Sequence, residues 1–352
     1  MSVTREQIIE ALKQVKYPGY SRDIVSFGLV KRVEFLAKGT VVHLELTAAD
    51  PNVPRLLQEQ IVEAVCRLPD LSEQQRPVDA RVKVVAAPSP AATGGGLARS
   101  ELPGVRRVVA VASGKGGVGK STVAANLAAA FQTLGLRTGL CDCDLYGPSM
   151  ALMFGAAERP TMNEDETINP VTISGVRLMS MGLLVADESP VILRGPLVTR
   201  YTQQLLRGVH WGELDVLVLD LPPGTGDIQL TVVQTLTLSG AVIVSTPQEV
   251  ALIDARKAVK MFEKVSVPIL GLVENMSWFL CPDNGQRYDI FGTGGARREA
   301  EKLGVPLLAE VPLEIAAREA ADGGRPIVWQ DPRSATARAL LAAAENIRRI
   351  LQ

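Results

Sequence analysis

The stretch GKGGVGKST at residues 114–122 joins a freely bending backbone to two ammonium groups. Gly114, Gly116, Gly117 and Gly119 let successive backbone N–H groups turn toward one point with no Cβ in the way, which is how a loop cradles phosphate oxygens. Gly114, Gly119, Lys120 and Ser121 fit G-x-x-x-x-G-K-[ST], in which the lysine brings charge to the β and γ phosphates of a nucleoside triphosphate and the hydroxyl faces magnesium. Val118 and Thr122 complete the loop that would contact the nucleotide. Lys115 is surplus to that chemistry. An ammonium directly after the first glycine cannot easily fold back on its own nucleotide, so it is expected to reach phosphates bound by a second copy and neutralise charge in trans, as an arginine finger does. The plain alternative is a solvated loop lysine.

Three carboxylates accompany the loop. In DVLVLD, residues 215–220, Asp220 stands at the carboxyl end of an apolar strand that Pro222 and Pro223 stop at once. Magnesium needs such a carboxylate, usually through a bound water, opposite the serine hydroxyl. Asp142 and Asp144 end another apolar strand and, two residues apart, are expected on one side of it. Cys141 and Cys143 then face the other way, toward packing. With Cys66 and Cys281 these make four cysteines, too few and too irregularly spaced for a disulfide framework. Cys66 lies on the apolar side of an apparent helix, and His43 and His210 have no metal-like spacing to any other ligand.

These groups need elements to position them. The strand VVAVAS leads into the phosphate loop and the helix-forming run TVAANLAAAFQTL leads out of it. From residue 105 onward, VVAVAS, TGLCD, VRLMSM, DVLVLD, AVIVST and PILGLVE are continuous apolar strands, mostly separated by helical stretches. This is the texture of a mostly parallel sheet covered by helices on both faces, whose ligands bind at the carboxyl ends of the strands. Ahead of it, Thr4 and Gln7 form a capping box opening a helix that Pro18 and Gly19 close. Alternating runs at 29–35 and 41–46 make a hairpin around Lys38-Gly39, followed by a helix near 53–67 and the strand VDARVKVV. The organisation expected is a small α/β domain over 1–85, a flexible linker over 86–104 and an α/β domain over 105–352. The linker, rich in proline, glycine and small residues, would hold its ends about 25 Å apart on average.

With 352 residues, 47% of them hydrophobic, the chain can bury real cores. Its 37 basic and 38 acidic side chains give a net charge of -1, so charge gives no ground for nucleic acid or an anionic membrane as partner. The opening MSVTREQIIEALKQV has neither a basic leader nor an apolar core, and no run approaches the roughly 20 apolar residues that span a bilayer. A cytoplasmic protein is the expectation.

The loop K-G-G-V-G-K-S, with its added lysine, resembles the deviant phosphate-loop ATPases that include the nitrogenase iron protein and the cell-division and plasmid-partition ATPases. CDCDLYGPS at 141–149, LRGP at 193–196, WGELDVLVLDLPPGTGD at 211–227, STPQ at 245–248 and VENMSWF at 273–279 narrow the likeness. Together they are similar to the Mrp/ApbC iron-sulfur cluster carrier ATPases over nearly all of 105–352, and residues 1–85 resemble the small iron-sulfur assembly domain that many members carry in front. The resemblance implies a P-loop NTPase fold of the SIMIBI type, ATP and Mg2+ as ligands, and slow hydrolysis. It also implies a homodimer that carries a cluster at its interface, taking it from scaffold proteins and passing it to apo iron-sulfur acceptors. By the same resemblance, Asp142 and Asp144 organise magnesium's water shell and the attacking water, Gly224, Thr225 and Gly226 sense the γ phosphate, and Asn275 contacts the adenine side.

Two departures stand out. Members typically carry C-P-x-C after N-M-S, so that two subunits present the four thiolates of a [4Fe-4S] cluster. This chain has Cys281-Pro282-Asp283-Asn284, which leaves Cys281 and its mate unless Asp283 ligates or another thiol approaches. Where relatives often have a cysteine before proline in the small domain, the chain reads Thr47-Ala48-Ala49-Asp50-Pro51. Two rival readings follow. One is a partition or positioning ATPase of the ParA/MinD kind, which needs a basic surface or tail; yet the last helix, roughly 334–351, puts Ala337, Leu340, Leu341, Ala344, Ile347 and Leu351 on one face, which suits docking on its own domain. The other is a nucleotide-switched scaffold that has lost cluster binding.

Overall fold

In the computed structural model the described residues are 3–16, 23–25, 29–36, 39–46, 52–69, 71–84, 100–145, 147–165, 167–184 and 195–352. Pro18, Gly19, Lys38, Thr47 to Pro51, Leu193, Arg194 and linker residues 86–99 lie outside them. The chain divides into two compact units, residues 1–95 and 96–352.

In the first unit, helix α1 (Arg5–Leu12) starts at the expected capping box, with Thr4 and Gln7 satisfying each other's backbone N–H. Strands β1 (Val30–Leu36) and β2 (Gly39–Leu46) pair antiparallel, and after helix α2 (Asn52–Cys66) strand β3 (Val78–Val84) returns parallel to β2. Gly39 is required at φ 125°, where a Cβ would meet the Pro77 carbonyl oxygen at 2.1 Å. Ile8, Leu12, Val42, Leu44, Leu57 and Ile61 form the core, with Cys66 packed partly buried against it. His43 bonds Glu34 at 2.8 Å on the other face of the sheet, which accounts for it without a ligand.

The second unit runs β4 (Val108–Ala112), α3 (Lys120–Thr133), β5 (Thr138–Asp142), α4 (Met150–Met153), a short ribbon of β6 (Thr161–Met162) and β7 (Ile168–Asn169), then β8 (Val171–Ile173) and β9 (Val176–Ser180). It continues through α5 (Gly195–Arg207), β10 (Val216–Asp220), α6 (Asp227–Thr235), β11 (Gly240–Ser245), α7 (Glu249–Lys264), β12 (Ile269–Leu280) and β13 (Arg287–Tyr288). Helix α8 (Gly295–Leu303), β14 (Leu307–Leu313), α9 (Ile315–Asp322), α10 (Ile327–Gln330) and α11 (Ala335–Leu351) complete it.

Among the described residues the main sheet has the order β13-β12-β11-β4-β10-β5-β9-β8, with β14 paired to β12. The pairings are parallel except β8 with β9 and β12 with β13. The P-loop strand β4 is therefore central, and every strand that ends in a candidate carboxylate lies beside it or one place away. β10 shows why these strands read as unbroken apolar runs. Leu217 and Leu219 enter one core with Trp211, Val232 and Phe262, while Val216 and Val218 enter the opposite core with Leu127, Phe131 and Leu340.

Residues 100–104, expected to end the linker, belong to the large unit instead. The Ser100 N–H donates to the Thr235 carbonyl, Leu102 is buried, and the Leu214 N–H donates to the Gly104 carbonyl. Helix α11 buries Ala337, Leu340, Ala344 and Ile347 against its own domain. Among the described residues no helix is long and apolar enough to cross a membrane.

Candidate functional site

Strand β4 is fully buried, so the chain leaves the core abruptly at Ser113, whose hydroxyl donates to the Lys115 carbonyl at 2.9 Å. The Gly224 N–H donates to the Ser113 carbonyl at 3.0 Å and ties the Pro222–Gly226 loop to the base of the phosphate loop. The glycines serve different ends. A Cβ on Gly114 would meet the Asp254 backbone of α7 at 2.1 Å, and one on Gly119, at φ 79°, would meet Asn275 Nδ2 at 2.1 Å. At Gly116 and Gly117 a Cβ would meet nothing within 4 Å, leaving open space over which phosphate oxygens can lie. The loop ends at Gly119, the N-cap of α3.

Lys120 is almost wholly buried, and its ammonium donates to Asp220 Oδ1 at 2.5 Å and to Ser121 Oγ at 3.2 Å. Burial pushes the Asp220 carboxyl up, opposed by the Lys120 charge and hydrogen bond. Asp220 Oδ2 is also buried and has no hydrogen-bond partner. An orphaned carboxylate oxygen beside a serine hydroxyl fits a hard divalent cation or one of its waters, so Ser121 and Asp220 suit magnesium.

Asp142 and Asp144 do not form the equivalent pair that strand alternation suggests. β5 ends at Asp142, in register with Asp220 on β10, and the chain then turns away. Asp142 is fully buried and saturated. Its Oδ1 accepts the Asp144 N–H at 3.1 Å, while its Oδ2 accepts the Ser149 N–H (3.1 Å), the Met150 N–H (3.2 Å) and the Ser180 hydroxyl (2.9 Å). Burial, then the neighbouring Asp220 charge, pushes its carboxyl up to about 7 against the pull of those hydrogen bonds. Asp144 sits in the following turn, half-buried, its carboxylate accepting, among the described residues, only a 3.3 Å bond from the Gly147 N–H. Cys141 and Cys143 are buried with Leu219 on the opposite face of the sheet, clear of the phosphate loop.

Asn275 donates to the Val118 carbonyl at 2.9 Å and so braces the phosphate loop from β12. It also lines a cavity of about 350 Å³ beside Gly119 and Thr122, walled by Met153, Leu313, Glu314 and Arg318. No local motif announces this chamber, because its walls come from α4, β12, β14, α9 and α11, brought together only by the sheet order.

Cys281 closes β12 at the tip of a hairpin. Its N–H donates to the Gln286 carbonyl and its carbonyl accepts from the Gly285 N–H, both at 2.9 Å. Asn284 Oδ1 accepts the Gln286 N–H at 2.9 Å, so Asn284, at the fourth position of the C-P-x-C spacing, holds the turn. Leu280, Tyr288 and Ile290 are exposed around the tip. Among the described residues no group of three or more His, Cys, Asp or Glu is placed to hold a metal ion, and the hairpin carries one thiol, Cys281.

The family described as NUBPL iron-transfer P-loop NTPase matches residues 104–348. The chain belongs to this family. The family of iron-sulfur cluster assembly proteins matches residues 5–75, within the small unit. The chain is 45% identical over 343 residues to an iron-sulfur cluster carrier protein of Deinococcus radiodurans, covering 97% of this chain and 94% of the relative. It is 50% identical over 260 residues to an Arabidopsis thaliana iron-sulfur protein required for NADH dehydrogenase, mitochondrial, covering 74% and 83%. Among solved structures, a nucleotide-binding protein of Archaeoglobus fulgidus in complex with ADP superposes with a TM-score of 0.57 at 38% identity, over 64% of this chain and 89% of that one. The P-loop NTPase fold expected for residues 105–352 is the fold of this family.

Proposed function

We propose that two copies of this NUBPL-family chain clasp MgATP between their phosphate loops, hydrolyse it slowly, and carry an iron-sulfur cluster at the seam between their Cys281 hairpins for delivery to apo-acceptors. The observation that carries this reading is the contrast between two lysines five residues apart: Lys120 is buried and paired with Asp220, whereas the Lys115 ammonium, on the loop rim, has no ion pair or hydrogen bond among the described residues.

Each residue then has a task. The N–H groups of Gly114 to Thr122 and the Lys120 ammonium bind the β and γ phosphates, and the base enters the chamber beside Asn275, Leu313 and Glu314. Ser121 and Asp220 would hold magnesium, which neutralises charge on the β and γ oxygens when bound. Asp144, the less encumbered of the aspartate pair, orients the attacking water, while Asp142 fixes the turn that carries it. Gly224 to Gly226 read the γ phosphate from the loop tied to Ser113. Water attacks the γ phosphorus and passes a proton to a γ phosphate oxygen, the bond from that phosphorus to the β–γ bridging oxygen breaks, and ADP and phosphate leave. Lys115 of the partner subunit meets the charge that gathers on the bridging and γ oxygens.

Two Cys281 thiolates fall short of the four terminal ligands a cluster needs, so the cargo is held by exchangeable ligands as well as by protein and is released easily. Anaerobic reconstitution followed by transfer to an apo-ferredoxin tests the carrier role. Iron and sulfide bound by the wild type, passed on, and lost in Cys281→Ala support it; iron content equal in the two proteins would sink it.

A further inference from the structure

Ser180 ends β9, one strand beyond β5 and in parallel register with Asp142. It is fully buried, and its hydroxyl has two neighbours. Its Oγ accepts the Gly182 N–H at 3.2 Å, which leaves its proton to Asp142 Oδ2 at 2.9 Å. The other three donors to that carboxylate, the N–H groups of Asp144, Ser149 and Met150, come from the segment that runs from the end of β5 to the first residue of α4. Asp142 thus clamps both ends of the segment that carries Asp144, and among the described residues Ser180 is the sole donor to the clamp from outside that segment.

We propose that Ser180 is a positioning residue for hydrolysis: it fixes the orientation of the Asp142 carboxylate, and through it the turn that presents Asp144 to the attacking water. This rests on the reading of the loop as an ATP-hydrolysing site. A carboxylate pinned at both oxygens and from two strands cannot rotate about its Cβ–Cγ bond, so the Asp144, Ser149 and Met150 amides keep a fixed target. Without the hydroxyl, all remaining donors belong to the turn and the first residue of α4, and turn and carboxylate can shift together. Displacement of a water-orienting group by a fraction of an ångström lowers the chemical step while leaving nucleotide contacts made elsewhere intact.

The test compares Ser180→Ala and Ser180→Thr with the wild type in the full chain. Ser180 has extended backbone, φ -151° and ψ 150°, which threonine adopts readily while keeping the hydroxyl. In Ser180→Ala, kcat is expected to fall about tenfold with ATP affinity within about twofold of the wild type. Amide exchange at Ser149 and Met150 should quicken while that in α3 and β10 stays unchanged, and Ser180→Thr should recover most of kcat. Unchanged kcat in Ser180→Ala, a parallel loss of ATP affinity, or a threonine variant as impaired as the alanine one would each overturn the proposal. A wild type that binds MgATP without cleaving it would instead overturn the hydrolytic reading, and the amide exchange would still report whether Ser180 holds the turn.

Discussion

Lys120 and Asp220, 100 residues apart in sequence, meet at 2.5 Å in the interior, and the second carboxylate oxygen is left without a partner. The lysine is the first residue of α3 and the aspartate the last of β10, so the phosphate loop and the carboxylate proposed for magnesium are joined within the folded chain itself. Such a pair gains little by itself, because two charges must be stripped of water, but breaking it from one side is costly.

Lys120→Ala therefore does more than abolish nucleotide binding. It strands a buried carboxylate at a cost of about 3–5 kcal/mol, which lowers the thermal midpoint of the nucleotide-free protein by roughly 10 °C. Adding Asp220→Asn to the same chain should recover most of that loss. Equal midpoints for Lys120→Ala and the wild type in a thermal melt would show that the pair is not closed in solution.

Asp142 makes the stability of the nucleotide-free chain depend on pH in an unusual direction. Burial beside Asp220 raises its carboxyl from 3.8 to about 7. Between those values the folded chain keeps a proton that the unfolded chain has released, so the contribution is complete below the ordinary value and is lost as pH rises through about 7. From about pH 5 to about pH 8 the wild-type thermal midpoint should fall relative to that of Asp142→Asn, measured with EDTA present. Parallel pH profiles for the two proteins would contradict the assignment.

Asn284→Cys restores the C-P-x-C pattern at the hairpin tip and should raise the iron retained per dimer after anaerobic reconstitution and desalting. The same variant should transfer its cluster to an apo-acceptor more slowly, since more protein thiolates must be exchanged. Iron retention equal to that of the wild type would place the cargo elsewhere.

Much of this was legible in the residues themselves. The phosphate loop, its flanking strand and helix, and the burial of Cys141 and Cys143 depend on neighbours in sequence, and alternation or spacing reports them. Asp142 and Asp144 were legible as a pair but not as unequal partners, because their difference arises where β5 stops and the turn begins. Ser180 gave no sign, since its importance lies in the β5–β9 register. Of the cavity beside Gly119, only Asn275 was signalled, by the family resemblance: Met153, Glu314 and Arg318 come from distant segments that meet through tertiary packing. Residues 100–104 read as linker from their composition, yet Leu102 and the bonds of Ser100 and Gly104 bind them to the domain.

The claim on which the account turns is that Lys115 works across a pair of chains, and the mass in solution of the ATP-loaded protein tests it most directly. Asp144→Asn, which should hold ATP without cleaving it, is expected to sediment as a dimer with MgATP and as a monomer without nucleotide, and adding Lys115→Ala should weaken that dimer while ATP remains bound. A MgATP-loaded monomer, or a Lys115→Ala chain that dimerises and hydrolyses ATP at the wild-type rate, would contradict it.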